Sequence, residues 1–410
     1  VTDRHTRTHQ RYLDDYRFTE EITVDSDTVV APVPPADQTR PPLGIRGAVL
    51  SSTGAARPYR TSRPLEILDL QLEGPGPGEI LVKIEAAGLC HSDLSVVNGS
   101  RVRPTPMLLG HEAAGRVVEL GAGVGDLRVG QRVVMAFLPR CGDCAGCHTD
   151  GKLPCIPGSA ANNVGSLLGG ARRLSHDGIP VNHHLGVSAF ADHAVVNRFS
   201  VVPVDDDVPP DIAAVLGCAV LTGGGAVINA GRPHPTDTVA IVGLGGVGMA
   251  ALITALSLDV AEVIGIDSVH AKLDQAIELG AGSVYTPEDA LEQGIRANVV
   301  IEAAGHPRAF ETAVRITAAG GTTVTVGLPA ADQLASVSPL TITAEARTIV
   351  GSYLGSAVPA RDIPFYANLW REGKLPVESL ISSHIRLEDI NEGMDTLAEG
   401  NAVRQIILFG

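Results

Sequence analysis

The stretch from Thr238 to Asp267 constrains this chain most tightly. Thr238 to Val242 is a short, largely apolar run of the kind that forms a strand buried on both faces. Gly243, Gly245 and Gly248 follow it in G-x-G-x-x-G spacing, Val247 to Leu258 reads as a helix, and Glu262 to Ile266 reads as a second strand. Asp267 closes the unit, about 20 residues past the last glycine. Glycine-rich loops are common. With a strand before, a helix after and an acid at that distance, this one describes a Rossmann unit. Its glycines allow a tight turn, close approach of backbone to a pyrophosphate, and close helix–strand packing, while Gly246 and Val247 open the helix whose N-terminus faces the phosphates. A carboxylate at 267 accepts hydrogen bonds from an adenosine ribose and repels a 2′-phosphate, which favours NAD over NADP.

Val239 to Leu258 carries no formal charge and is long enough to resemble a membrane span, but its glycines favour a buried strand–turn–helix. A chain of 410 residues has room for two domains. Apolar residues make up 44% and aromatics only 3%, so the core must be mostly Val, Ala, Leu and Ile. With 46 glycines and 19% charged residues, the composition excludes a disordered chain or a coiled coil. A formal charge of −15 is a poor match for nucleic-acid backbones or anionic membranes, and neither is expected as a partner. The first 44 residues mix Arg4, Arg7, Arg11 and Arg17 with Asp14, Asp15, Glu20 and Glu21, and then run through Pro32, Pro34, Pro35, Pro41 and Pro42. They are too acidic for a transit peptide and lack the apolar centre of a secretory signal. The expectation is a flexible extension on a soluble, cytoplasmic protein; a wrongly chosen start codon is the alternative.

Four of the six cysteines, Cys141, Cys144, Cys147 and Cys155, fall in one loop spaced C-x2-C-x2-C-x7-C. Gly142, Gly146, Gly151 and Pro154 supply the turns that fold four thiolates around one ion, which describes a closed structural zinc site. A bacterial iron–sulfur run has similar spacing, but its third gap is shorter and a Pro follows its last Cys. Cys90, His111 and Cys218 lie outside the loop. Taken singly, each reads as packing. Together with a cofactor site, two thiolates and an imidazole make three ligands with a fourth position open to a substrate oxygen, the arrangement of a catalytic zinc.

On these motifs, from about Gly47 to the C-terminus, the chain resembles the zinc-dependent alcohol dehydrogenases of the medium-chain dehydrogenase/reductase family. GHEAAGRVVELGAGV is similar to that family's zinc signature, GLGGVG to its nucleotide loop, and the four-Cys lobe to its structural zinc site. The resemblance implies an α/β fold: a GroES-like β-barrel catalytic domain over residues 45–219 and 354–410, with a Rossmann doubly wound parallel sheet inserted at 220–353. Asn298 to Glu302 and Thr322 to Val326 are expected as later strands of that sheet, ended by Gly305 and Gly327. It further implies two zinc ions per subunit, NAD as cofactor, a small alcohol or aldehyde as substrate, and a homodimer joined through the edge of the nucleotide sheet.

By the same resemblance, His91 and Arg404 contact the pyrophosphate and Lys272 steadies the ribose. Ser92 starts a proton relay, for which a hydroxyl that both donates and accepts is suited. Ser95 stands where many relatives finish the relay with a His, so this relay ends on water or another group. Asp93 orients the zinc-ligand imidazole, and Glu112 lies behind the metal and approaches it during ligand exchange. Phe137, His184 and Leu185 are expected in the substrate pocket, which Ser92 leaves open enough for bulky or secondary alcohols. Two rival readings stand beside this one. A thiol-adduct formaldehyde dehydrogenase fits the overall pattern, although glutathione users carry Arg where Ser159 stands. A non-catalytic NAD-binding relative would be expected to have a broken ligand set, and Cys90, His111 and Cys218 are all present.

Overall fold

The computed structural model describes residues 41–410, so the expected N-terminal extension lies outside the described residues up to position 40. The first part of the chain forms β1 (Leu43–Leu50), β2 (Leu65–Leu72), β3 (Glu79–Leu89), β4 (Met107–Leu108), β5 (Ala113–Leu120), β6 (Arg132–Met135), β7 (Leu174–His176), β8 (Ile179–His183), β9 (His193–Asn197) and β10 (Val201–Pro203). Then come β11 (Thr238–Val242), β12 (Glu262–Ile266), β13 (Ser283–Tyr285), β14 (Ala297–Glu302), β15 (Thr317–Thr325) and β16 (Thr348–Gly351). β17 (Ile381–Ile385) and β18 (Arg404–Leu408) close the chain.

β1, β2, β7, β8 and β4 close into a barrel. Beside it β10, β6, β5, β3, β18 and β17 form a sheet in that order, with β9 paired on β3. The last strand returns to the first part of the chain here: β18 runs antiparallel to β3, Gln405 opposite Leu89 and Leu408 opposite Ala86.

The second large sheet has the order β13-β12-β11-β14-β15-β16 with every pairing parallel, the doubly wound arrangement expected from the sequence. β11 is buried along Val239–Val242, which explains its apolar run. The uncharged stretch beginning at Val239 is accordingly strand, turn and helix inside the sheet unit rather than one long helix.

Three helices matter for the site. α1 (His91–Val97) follows β3 directly. α2 (Pro210–Gly231) is a 22-residue apolar helix. Its length and composition suit a membrane span, but 89% of its most apolar window is buried against the protein. Two π-helical turns interrupt it, at Leu216–Val220 and Ala226–Gly231. α3 (Gly246–Leu256) follows the glycine loop, and its helix lies almost wholly in the core.

The three glycines of that loop do three different jobs. Gly243 turns the chain with φ +92°, which a side chain rarely adopts. A Cβ at Gly248 would overlap the carbonyl oxygen of Gly243, so α3 packs on its own loop. A Cβ at Gly245 would meet nothing within 4 Å, which leaves the backbone there open to the cleft.

α4 (Ile390–Ala398) fastens the C-terminal part onto the start of β2. Asn391 bonds both backbone groups of Leu65, while the buried Asp395 accepts from the amides of Tyr59 at 2.8 Å and Arg60 at 2.9 Å. Burial pushes the Asp395 carboxyl up, but the two amides and the Arg60 and Arg57 charges outweigh it and hold it below the usual carboxylate range. The stability it contributes is therefore present above about pH 4 and is lost as pH falls through the lower folded value. Asp395→Asn should cost about 1–3 kcal/mol at pH 7. The gap between wild type and variant, read from guanidinium midpoints at pH 7 and at pH 3, should narrow in acid.

Candidate active site

The end of β3 delivers Cys90 at the N-terminal end of α1, where the helix dipole favours a thiolate. His111 follows the β4 segment, and Cys218 projects from the first π-helical turn of α2. All three are buried, and their ligating atoms lie within 4.8 Å of one another. His111 Nε2 is 3.5 Å from the Cys218 sulfur, while its Nδ1 is 3.0 Å from Asp93 Oδ1. With Nδ1 engaged by the carboxylate, Nε2 is the nitrogen left to ligate, on the same side as the two sulfurs. The Cys218 thiol and the Arg404 guanidinium hold Cys90 well below the usual thiol range, against the upward push of burial. Two thiolates and one correctly oriented imidazole suit zinc, and three protein ligands leave a position free.

Asp93 is completely buried and over-determined. It accepts from the amides of Cys90 and Gly110, both at 3.2 Å, and faces the His184 ring as well, with His184 Nδ1 at 3.1 Å. Burial would raise its pKa, but the His111 and His184 rings outweigh that and keep it well below the usual carboxylate range. Glu112, the next residue after His111, is also fully buried. Burial pushes it up to about 7 despite the Arg404 guanidinium, whose Nε lies 3.0 Å from one of its oxygens and 3.3 Å from the other. Glu112 is thus held behind the site in a pair with Arg404.

The cysteine loop folds into a lobe of its own. Cys141 and Cys147 sulfurs are 3.9 Å apart and those of Cys144 and Cys155 are 4.0 Å apart, all four within 4.8 Å of one another. A zinc–sulfur bond of about 2.3 Å puts tetrahedral sulfurs about 3.8 Å apart, so the four fit one ion. The amides of Cys141 and Ile156 point at the Cys155 and Cys144 sulfurs, each at 3.4 Å. Burial drives Cys155 up to about 12, whereas the Ile156 and Cys147 amides overcome burial and bring Cys144 to about 6.

A cavity of about 460 Å³ joins the metal-ligand set to the nucleotide loop. Cys90, Cys218, Ser92 and Phe137 line it together with Gly243, Gly245, Gly246, Val247, Asp267 and Lys272. His91 and Arg404 line it too, so the residues singled out for the pyrophosphate converge on the loop. Lys272 Nζ lies 4.0 Å from Asp267, whose oxygens accept from the amides of Leu244 at 2.7 Å and Val269 at 2.9 Å. The Ser95 hydroxyl lines the same cavity but donates to the His91 carbonyl at 2.8 Å.

Two residues expected in the substrate pocket are buried beside the metal-ligand set. His184 is not in the cavity wall: its ring is buried behind the site, edge-on to His111 at 5.5 Å and facing Asp93. Leu185 is buried with a left-handed backbone at φ +52°, in the same apolar cluster as Phe137, Cys90 and Cys218. Tyr353 was not anticipated. Its ring packs edge-on against Phe137 at 5.9 Å, and Phe137 against His111 at 5.6 Å, an aromatic path from metal ligand to outer wall. Nothing local in the sequence marks Tyr353, because it reaches the cavity from the short helical turn after β16 through tertiary packing alone.

Two family models match this chain: "Alcohol dehydrogenase GroES-like domain" over residues 76–206 and "Zinc-binding dehydrogenase" over residues 246–369. Alcohol dehydrogenase B of Mycobacterium tuberculosis is 33% identical over 368 residues, 87% of this chain and 98% of the relative. The NDMA-dependent alcohol dehydrogenase of Amycolatopsis methanolica is 33% identical over 366 residues, with the same shares covered. Among solved structures, benzyl alcohol dehydrogenase from Acinetobacter calcoaceticus superposes with a TM-score of 0.82 at 29% identity, covering 90% of this chain and 100% of that one.

The buried Glu112–Arg404 pair makes a stability test of this geometry. Arg404→Leu leaves a fully buried carboxylate without its cation, which should cost about 3–5 kcal/mol. Pairing it with Glu112→Gln should recover much of that loss, as read from guanidinium unfolding of the two variants and wild type.

Proposed function

The chain belongs to the zinc-dependent alcohol dehydrogenases of the medium-chain dehydrogenase/reductase family, and from that premise we propose that it interconverts alcohols with aldehydes or ketones using NAD. The observation that carries this reading is one cavity walled by both Cys90 and Cys218 and by the glycine loop with Asp267. Zinc bound there would lower the pKa of an alcohol hydroxyl, and the nicotinamide would take the hydride from the carbon that bears it.

The protein's own groups supply the rest. Cys90, His111 and Cys218 would hold the catalytic zinc, and Cys141, Cys144, Cys147 and Cys155 would hold a second, structural one. Asp93 keeps His111 in the tautomer that presents Nε2. The Ser92 hydroxyl accepts the alcohol proton and passes its own on, toward water rather than through Ser95, whose hydroxyl is already bonded to backbone. The Arg404 guanidinium offsets the pyrophosphate charge, the His91 ring, kept neutral by burial, hydrogen-bonds to it, and Gly245 lets the backbone approach it. Asp267 and Lys272 receive the adenosine ribose. In this reading residues 45–219 and 354–410 form the catalytic domain and 220–353 the nucleotide domain. A homodimer would form along β16, whose outer edge pairs with no other strand among the described residues.

The first experiment is the initial rate of NAD reduction across ethanol, longer, aromatic and secondary alcohols, with formaldehyde plus and minus added thiols. Turnover on an alcohol class is expected. Cys218→Ser should lose at least about 100-fold in rate and one equivalent of zinc while still binding NADH. Activity only on formaldehyde with a thiol would replace this reading with the thiol-adduct one, and silence on every substrate would sink both. For the cofactor, Asp267→Asn removes the carboxylate charge yet keeps an acceptor oxygen. It should shift the NAD to NADP ratio of kcat/KM toward NADP by about tenfold.

A further inference from the structure

Most cations in the cavity wall have an acid beside them. Lys272 lies against Asp267, and Arg404 is paired with Glu112. Arg101 differs. It lines the cavity with Ser95, Ser100, Tyr353 and Gln333, held by its backbone amide, which donates to the Ser95 carbonyl at 2.8 Å. Among the described residues lining the cavity, it is the one guanidinium or ammonium group without a carboxylate in ion-pair reach. Arg103 stands behind it. One arm of Arg103 donates to the Asn162 carbonyl and the Asn163 side chain, while its Nε is buried with no partner. Both guanidiniums act on the Tyr353 phenol, pulling against the upward push of burial. The pair therefore sits at the outer end of the aromatic path, two ring contacts of 5.6 and 5.9 Å from the metal-ligand imidazole of His111.

An alkyl chain packed here would strip water from Arg101 and return nothing to it, which disfavours plain alcohols. A carboxylate would engage its planar fork with two charge-assisted bonds. The overall charge of −15 does not oppose this, because charges further than about 8 Å away are screened at physiological salt and the local cations decide. We propose that Arg101, backed by Arg103, forms an anion subsite at the outer end of the alcohol pocket, so that the preferred substrates are alcohols bearing a carboxylate remote from the reacting hydroxyl. This rests on the alcohol dehydrogenase reading and names its substrate class: ω-hydroxy acids, or hydroxymethyl-arene carboxylates of similar reach.

The test compares kcat/KM for ω-hydroxyalkanoates of graded length with unsubstituted alcohols of the same length, and para-carboxybenzyl alcohol with benzyl alcohol. Wild type should favour the acid by about tenfold or more at one length, chiefly through KM, and added salt should erode the preference. Arg101→Leu should cut the acid-to-alcohol ratio by a similar factor, and Arg101→Lys should restore part of it. An unchanged ratio in Arg101→Leu, or no acid preference at any length while plain alcohols turn over, overturns the subsite and leaves the enzyme reading standing. If nothing turns over, calorimetric titration of NADH-loaded wild type and Arg101→Leu with the same acids decides. Binding lost in the variant supports the subsite without the reaction, and equal or absent binding ends it.

Discussion

Arg404 leaves β18 with almost none of its surface in water, and three elements meet on its guanidinium: the Glu112 carboxylate, the Cys90 sulfur at 3.6 Å, and the first turn of α3, where a Cβ on Gly246 would overlap it. The last strand of the chain thus sets the distance between the metal-ligand set and the nucleotide loop. A charge buried this deeply is tolerable only because its partner is equally buried and close to it. The antiparallel pairing of β18 with β3 puts Arg404 at the end of β3 from which Cys90 departs. Sheet register and site geometry are therefore one constraint.

Asp93 performs the corresponding service for the imidazole. Four donors or rings converge on one carboxylate: two backbone amides, His111 and His184. Because those contacts come from α1, from the His111 segment and from the turn after β8, the ring orientation of His111 is fixed by three pieces of chain rather than by its own rotamer. Cys218 arrives by a different device. A π-helical turn widens α2 at Leu216–Val220 and presents the sulfur toward His111 within this apolar helix.

Where the chemistry is local, the sequence was readable. The strand, glycine loop, helix and acid of the nucleotide unit lie within one short stretch, and each residue type has a backbone reason visible without a fold. The four-cysteine lobe is legible for the same reason. Glu112 with Arg404, and His184 with Asp93, are long-range contacts set by how β3, β18 and the turn after β8 are brought together, and no spacing rule encodes them. His184 illustrates the difficulty: its ring meets Asp93 and His111 only because the turn after β8 is brought against them in the fold. Tyr353 and Arg101 were silent because each enters the cavity wall singly, from segments that carry no motif.

An acidic chain that is proposed to bind a dinucleotide and an anionic substrate faces an apparent contradiction, and the distribution of its charges resolves it. Arg101, Lys272 and Arg404 line one cleft, where the low-dielectric walls strengthen their attraction for an anion. The acids in that region are largely committed elsewhere: Asp267 to two amides, Asp93 to its histidines, Glu112 to Arg404. Negative charge elsewhere on the chain acts on the cleft only weakly beyond a screening length of about 8 Å at physiological salt. Net charge is therefore a weak guide to the ligands of a folded enzyme. The unpaired cation among the described residues of the cleft is a better one, and in this protein it is the Arg101 guanidinium.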